Sequence, residues 1–217
     1  MAQVRSVRRQ TDNPFLNMYE LEAVKRDGTT FPYYMASRAR DTSLLRMNDP
    51  SDVPDGIAVY GIMPGTPERV VLVRQYRYPL GGYVYELPAG LVERGEDLYE
   101  AAVREMREET GLTLTVREDP LHGRMYYSSV GMTDENASMV FGTVSGTVST
   151  QGLEDTEDLS VVLADRDEAA RILAEERVAI RCAMMLTHFI SCEEDPFGFL
   201  KKIAAHRAGA AKEAAHE

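Results

Sequence analysis

Apolar and polar residues alternate in short runs as far as Pro88, and the spacing becomes helical after Asp97. Met18–Lys25 and Thr29–Ser37 read as the two strands of a hairpin, with Arg26-Asp27-Gly28 as the turn. Ile57–Met63 and Val70–Tyr78 form a second strand pair around a Pro-Gly-Thr-Pro turn, and Tyr83–Pro88 is a short strand. From Asp97 to Thr110 the residues Tyr99, Ala102, Val103 and Met106 recur at i, i+3, i+4 and i+7 and predict the buried stripe of a helix. Asp97 can cap its start, with Glu100 three residues on as in a capping box, and Gly111 can stop it. Met125–Ser129, Ala137–Val144 and Leu159–Leu163 read as further strands, and Glu168–Ala174 and Ile180–Ser191 as helices. Residues 1–14 read as a loose polar arm, and the alanine-rich end reads as an extended helix end or a frayed tail.

Strands first, then strands mixed with helices, imply an α+β layered fold. The turn-rich segment from Asn48 to Gly56 marks a boundary. It divides a β-rich N-terminal region, 1–54, from a main domain, 55–205, and a tail, 206–217.

Composition narrows the function. The 217 residues carry a net charge of -11, which disfavours nucleic acid and anionic membranes as partners. No apolar stretch approaches the roughly 20 residues of a membrane span, and the basic first residues lead into no secretory signal. Cys182 and Cys192 make neither a disulfide framework nor a zinc site, which fits a reducing, cytoplasmic setting with both thiols packed as small apolar groups. His122, His188, His206 and His216 have no metal or triad spacing, and His188 is expected to pack or pair inside its apolar helix. No glycine-rich phosphate loop of the strand-to-helix type occurs.

The chemistry lies in Gly90–Leu112, GLVERGEDLYEAAVREMREETGL. On a helix, Glu105, Glu108 and Glu109 project within an arc of roughly 100°. Carboxylates that close repel one another, and one would take up a proton unless a cation intervened. All-oxygen ligands suit Mg²⁺ or Mn²⁺. The bland alternative is a solvated Glu-rich face, with Arg104 pairing to Glu100 or Glu108. The wider spacing argues against it. Gly90, Glu96, Arg104, Glu105, Met106, Glu108, Glu109, Gly111 and Leu112 together resemble the Nudix box without a departure. A chance match of its seven fixed identities is rarer than about one in 100,000 at ordinary residue usage.

That resemblance implies a Nudix α/β/α sandwich with a mixed sheet and a small N-terminal antiparallel extension. It implies metal-dependent hydrolysis of a pyrophosphate bond with two or three Mg²⁺ or Mn²⁺ ions. Glu105 and Glu109 would be the principal ligands, with Glu108 assisting and the carbonyl of Ala89 a further ligand. Glu96 and Arg104 would brace the loop against the helix.

Upstream, Arg74–Glu96 is similar to the ADP-ribose and ADP-sugar pyrophosphatase branch, on Gln75, Arg77, Glu86, Pro88, Ala89 and Gly90. By that likeness Gln75, Arg77 and Glu86 enter the substrate-binding set, with Arg77 contacting a phosphate. The alternative for Arg77 is a surface strand arginine, and Glu86 could equally be a hydrogen-bonded structural carboxylate. The branch also implies a homodimer exchanging its N-terminal strands, with Tyr33 stacking the base and Arg38 beside it; an ordinary strand tyrosine is the alternative. Glu157, from the acidic segment before Leu159, would be the base or a bridging carboxylate, with Glu154 second. Where many branch members carry a proline, this chain has Ser128-Ser129-Val130-Gly131. ADP-hexoses and other nucleotide sugars therefore stay open beside ADP-ribose. The alternatives are another diphosphate substrate, such as a dinucleotide polyphosphate or coenzyme A, or a nucleotide-sugar sensor without activity.

Overall fold

A computed structural model describes residues 1–153, 157–192 and 194–214, the side chains as far as residue 209. The chain divides into two compact units, Met1–Asp55 with Met125–Ala137, and Gly56–Arg124 with Ser138–Glu217.

The first unit is built on a three-stranded antiparallel sheet, β1 (Gln3–Arg9), β2 (Asn17–Val24) and β3 (Thr30–Ser37). The hairpin forms as its turn chemistry predicts. The loose arm does not: its residues pair with β2, from Gln3 opposite Val24 to Arg9 opposite Tyr19. Arg5 and Arg8 salt-bridge Glu22 and Glu20 across the strands, and Val7 packs against the unit's small core, so cross-strand pairs hold a strand too polar to show a period by itself. Tyr19, Leu21, Met35 and Leu45 form a small core. The Met125–Ala137 segment belongs to this unit through local polar bonds. Buried Asn136 donates its side-chain amide to Asp55 at 2.8 Å, and the Ala36 amide donates to the Met132 carbonyl at 2.9 Å. Within it the expected strand from Met125 shrinks to β9 (Tyr126–Tyr127), paired with the first two residues of β10 (Asn136–Ser145).

The second unit is an α/β/α sandwich around a mixed sheet. Its strands are β4 (Gly56–Met63), β5 (Arg69–Arg77), β6 (Gly82–Glu86), β7 (Ala89–Leu91), β8 (Thr113–Val116), β10 and β11 (Leu159–Ala164). The central order is β11-β5-β4-β10-β8, with β6 on β5 and β7 on β4. β7 and β8 are additions to the elements legible in the sequence. Both are too short to show a period, and pairing with longer neighbours makes them strands.

One face of this sheet is covered by helix α1 (Leu98–Thr110), which packs with Ile57, Val59, Val71, Val140 and Val144. The other carries α2 (Arg166–Glu175), α3 (Ile180–Ser191) and α4 (Gly198–Ala214), around Tyr60, Leu72, Phe141, Ile172, Leu186 and Phe189. α4 extends the alanine-rich end as helix. His188 packs and pairs as expected: its ring hydrogen-bonds the Pro196 carbonyl at 2.9 Å and lies edge-on to Phe199. Cys182 is buried, whereas Cys192 is only half-buried and donates its thiol to the Asp195 carbonyl. Among the described residues, no helix is long and apolar enough to cross a membrane.

Helix α1 starts at Asp97, whose carboxylate accepts the Tyr99 amide at 2.8 Å, and ends at Gly111 in the left-handed region, φ 71°. Its buried stripe is rotated from the expected one. Leu98, Ala101, Ala102 and Met106 are buried, Tyr99 is half-buried, and Val103 is exposed. The sequence reading followed the apolar residues, but the helix also turns Glu109 and Thr110 inward. Burying Glu109 swings the stripe away from Val103.

Candidate active site

The loop leading from β7 into α1 is tied to the helix by one arginine. Arg104 forks onto Glu96, Nε to Oε1 at 2.8 Å and Nη2 to Oε2 at 2.9 Å. Its other donors reach Glu105 at 2.7 Å, Glu108 at 3.2 Å and the Leu91 carbonyl at 3.1 Å. Glu96 also accepts the Glu93 amide at 2.9 Å. The guanidinium holds the Glu96 carboxyl down at about 2, and the cluster of carboxylates keeps Arg104 firmly protonated. Replacing Arg104 with Lys removes the fork while keeping the charge. It is expected to destabilise the protein by about 1–2 kcal/mol, read as a melting-temperature drop of a few degrees; an unchanged melting temperature would refute the bracing role.

The three helix carboxylates have different surroundings. Glu109 is only 3% exposed, and its Oε2 accepts the Ala89 amide at 3.1 Å. Burial raises its pKa to about 8, helped by the negative charges of Glu105 and Glu157 and opposed by Arg77. Glu105 is half-buried and also raised, first by burial and then by its acidic neighbours Glu108 and Glu157, against the pull of Arg104. Glu108 is outermost, with half its side chain exposed. Among the described residues, no three acidic, histidine or cysteine side chains close together on one point. Gly90 is where backbone and carboxylate meet: a Cβ there would overlap the Glu105 carboxyl group.

The sheet supplies the other side. Gln75, Arg77 and Glu86 share the α1-facing side of β5 and β6, because Val73 pairs with Glu86 and Arg77 with Gly82. Arg77 grips Glu86 through Nε at 2.8 Å and Nη2 at 2.5 Å. Continuing the β5–β11 register beyond Leu159 opposite Gln75 puts Glu157 opposite Arg77, on this same side. The structure thus gathers Ala89, Glu105, Glu109, Arg77, Glu86, Gln75 and Glu157. A separate open groove of about 840 Å³, lined by Tyr99, Val103, Arg107, Gly111 and Gln151, runs along the outer side of α1; it borders Glu108 but neither Glu105 nor Glu109.

Residues 54–181 match the NUDIX domain family. The chain belongs to the Nudix family. It is 30% identical over 142 residues to a methanol dehydrogenase activator of Bacillus methanolicus, covering 65% of this chain and 74% of that protein. It is 42% identical over 72 residues to an ADP-ribose pyrophosphatase of Saccharomyces cerevisiae, covering 32% of this chain and 31% of the yeast protein. A putative nudix hydrolase 2 of Caenorhabditis elegans is 35% identical over 102 residues, 45% of each chain. The match thus spans less than half of the worm and yeast relatives. A solved structure described as an ADP compounds hydrolase shares the fold, with TM-score 0.55 and 18% identity over 80% of this chain and 83% of that one.

Two Nudix-branch expectations, Tyr33 and Arg38, fall in the first unit. Tyr33 donates its hydroxyl to the Gly131 carbonyl at 2.6 Å and lines an apolar recess of about 360 Å³ with Leu21, Met35, Met47, Tyr127 and Val130. Its hydroxyl is therefore tied to the very loop that lacks the branch's proline. Arg38 faces Glu135 at 3.8 Å. Glu154 lies outside the described residues. The sequence reading gave no role to Tyr83, whose hydroxyl donates to Asp158 at 2.7 Å beside Glu157. The only signal was strand alternation, which shows the face a residue takes and not its partner.

Proposed function

We propose that this Nudix protein hydrolyses the pyrophosphate bond of ADP-ribose or a related nucleoside diphosphate sugar, giving a nucleoside monophosphate and a sugar phosphate. One observation carries this: buried Glu109 stands among Glu105, Glu157 and Arg77 at the end of the Gly90 loop. Relatives named ADP-ribose pyrophosphatase and ADP-sugar pyrophosphatase, the latter from Mus musculus at 44% identity over 66 residues, support the substrate class.

The donor set fits a hard divalent cation. A nearly inaccessible carboxylate beside two others is costly to ionise without a positive partner. Glu105 and Glu109 would hold Mg²⁺ or Mn²⁺, with Glu108 and the Ala89 carbonyl as further ligands to two or three ions. When bound, the metal neutralises the pyrophosphate and activates it toward attack. Arg104 and Glu96 keep the loop and helix in register, so Glu105 and Glu109 need not reorganise. Arg77, released from Glu86, would fork onto a phosphate. Glu157 would take the proton as a water oxygen bonds to phosphorus; the bond to the bridging oxygen breaks, leaving two phosphate monoesters. Glu86 and Gln75 would line the substrate on the sheet side.

Tyr33 and Arg38 would contact the base, and the N-terminal sheet would make a homodimer, supported by its exposed Phe31 and Tyr34. Two free thiols, Cys182 and Cys192, support a cytoplasmic setting. The decisive experiment offers ADP-ribose, ADP-glucose, a diadenosine polyphosphate and coenzyme A with Mg²⁺ and follows products by chromatography. AMP from the ADP-sugars is expected. Turnover of the latter two alone would move the substrate class, and turnover of none would overturn the reading.

A further inference from the structure

Asp158 is held from two directions. The Tyr76 amide donates to its carbonyl at 2.8 Å, extending the β5–β11 ladder one residue beyond Leu159. The Tyr83 hydroxyl donates to its carboxylate at 2.7 Å. Tyr83 is itself fixed: the Arg74 guanidinium lies 4.3 Å from its ring centre, and Tyr76 stands edge-on at 5.4 Å. Arg74, Tyr76 and Tyr83 occupy the face of β5 and β6 opposite to Gln75 and Arg77, since Arg74 pairs with Tyr85 and Tyr76 with Tyr83. Successive residues of an extended chain take opposite faces. With Asp158 bound on the Tyr83 face, its neighbour Glu157 is turned to the face of Arg77, Glu105 and Glu109. The negative charge of Glu157 acting on both helix carboxylates agrees with that direction.

We infer that Tyr83, through Asp158, is a positioning residue: it pins the entry to β11 from the far side of the sheet so that Glu157 is presented to the carboxylate site. Neither Tyr83 nor Asp158 touches the reacting atoms. The inference rests on the proposed catalytic role of Glu157. Without the pin, Asp158 loses its side-chain bond to Tyr83 and keeps its backbone bond to Tyr76 at a strand end, where chains fray. Tyr83→Phe removes a single oxygen from an exposed ring that Arg74 and Tyr76 still hold, so folding is expected to survive.

The test is a double-mutant cycle on AMP release from ADP-ribose with Mg²⁺, comparing the full chain with Tyr83→Phe, Glu157→Gln and the pair. Tyr83→Phe is expected to lower kcat about tenfold with KM within twofold, and to add nothing once Glu157 is Gln. Asp158→Asn, which keeps an acceptor oxygen for Tyr83, should retain more activity than Asp158→Ala. An unchanged kcat in Tyr83→Phe, or the same loss in both backgrounds, would overturn the positioning role and leave Glu157's own role standing. Full activity in Glu157→Gln would instead remove the catalytic role of Glu157 and this inference with it, whereas no AMP from the unaltered chain with ADP-ribose or ADP-glucose would remove the functional reading itself.

Discussion

Glu109→Gln is expected to abolish most turnover and, without metal, to make the protein more stable at pH 8. Gln keeps an oxygen for the Ala89 amide but cannot carry the charge that would grip a cation. Turnover should fall about 10²–10³-fold, the scale seen when a principal electrostatic group is removed. The stability change follows from proton binding. The folded protein keeps the Glu109 proton up to about pH 8, pushed there first by burial and then by Glu105, whereas the ordinary value is 4.5. Between those values the native state holds more protons than the unfolded chain, so native stability falls as pH rises. At about 1.4 kcal/mol per pH unit, the penalty reaches on the order of 4 kcal/mol by pH 8. Gln carries no such penalty. Metal-free melting curves should therefore coincide near pH 4.5 and separate by several degrees at pH 8, with the variant higher. Adding Mg²⁺ should raise the unaltered protein and leave the variant in place. A variant less stable than the parent at pH 8, or one that turns over normally, would contradict the site.

Gly90→Ala should separate folding from activity in the other direction. Gly90 needs no unusual backbone angle; it is small because the Glu105 carboxyl group occupies the space where its side chain would begin. The obstructing atoms are the end of a flexible side chain, so the fold can absorb an added methyl group by turning Glu105 aside. The melting temperature should shift by only a few degrees. Activity should drop about 10²-fold or more, since displacing a reacting or ligating group by about 1 Å costs that much. Equal losses in both, or none in either, would mean that this close approach does not organise the site.

The Nudix box was readable because its chemistry is local. Glu105, Glu108 and Glu109 share one helix, Gly111 needs its positive φ, and Asp97 caps within its own turn. Arg77 and Glu86 were legible only as a pattern. Their mutual ion pair depends on strand register, which no spacing along the chain reveals. The ranking of the three glutamates was also hidden. Helical projection puts them on one arc, but the packing of α1 on β4, β5 and β10 decides that Glu109 is sealed and Glu108 wet.

By itself the sequence determined the elements long enough to show a period: the β2–β3 hairpin, the main strands and the helices α1 to α3. It also determined the family through residues whose roles lie within one loop and one helix. Tertiary structure alone decided that β1 and β7 are strands and that Met125–Ala137 folds with the first unit. It alone brought Tyr83 to Asp158 across the sheet and closed the space above Gly90. The physical reason is range. Propensity, capping and period act over a turn or a strand length, whereas burial and strand register arise only when distant segments pack.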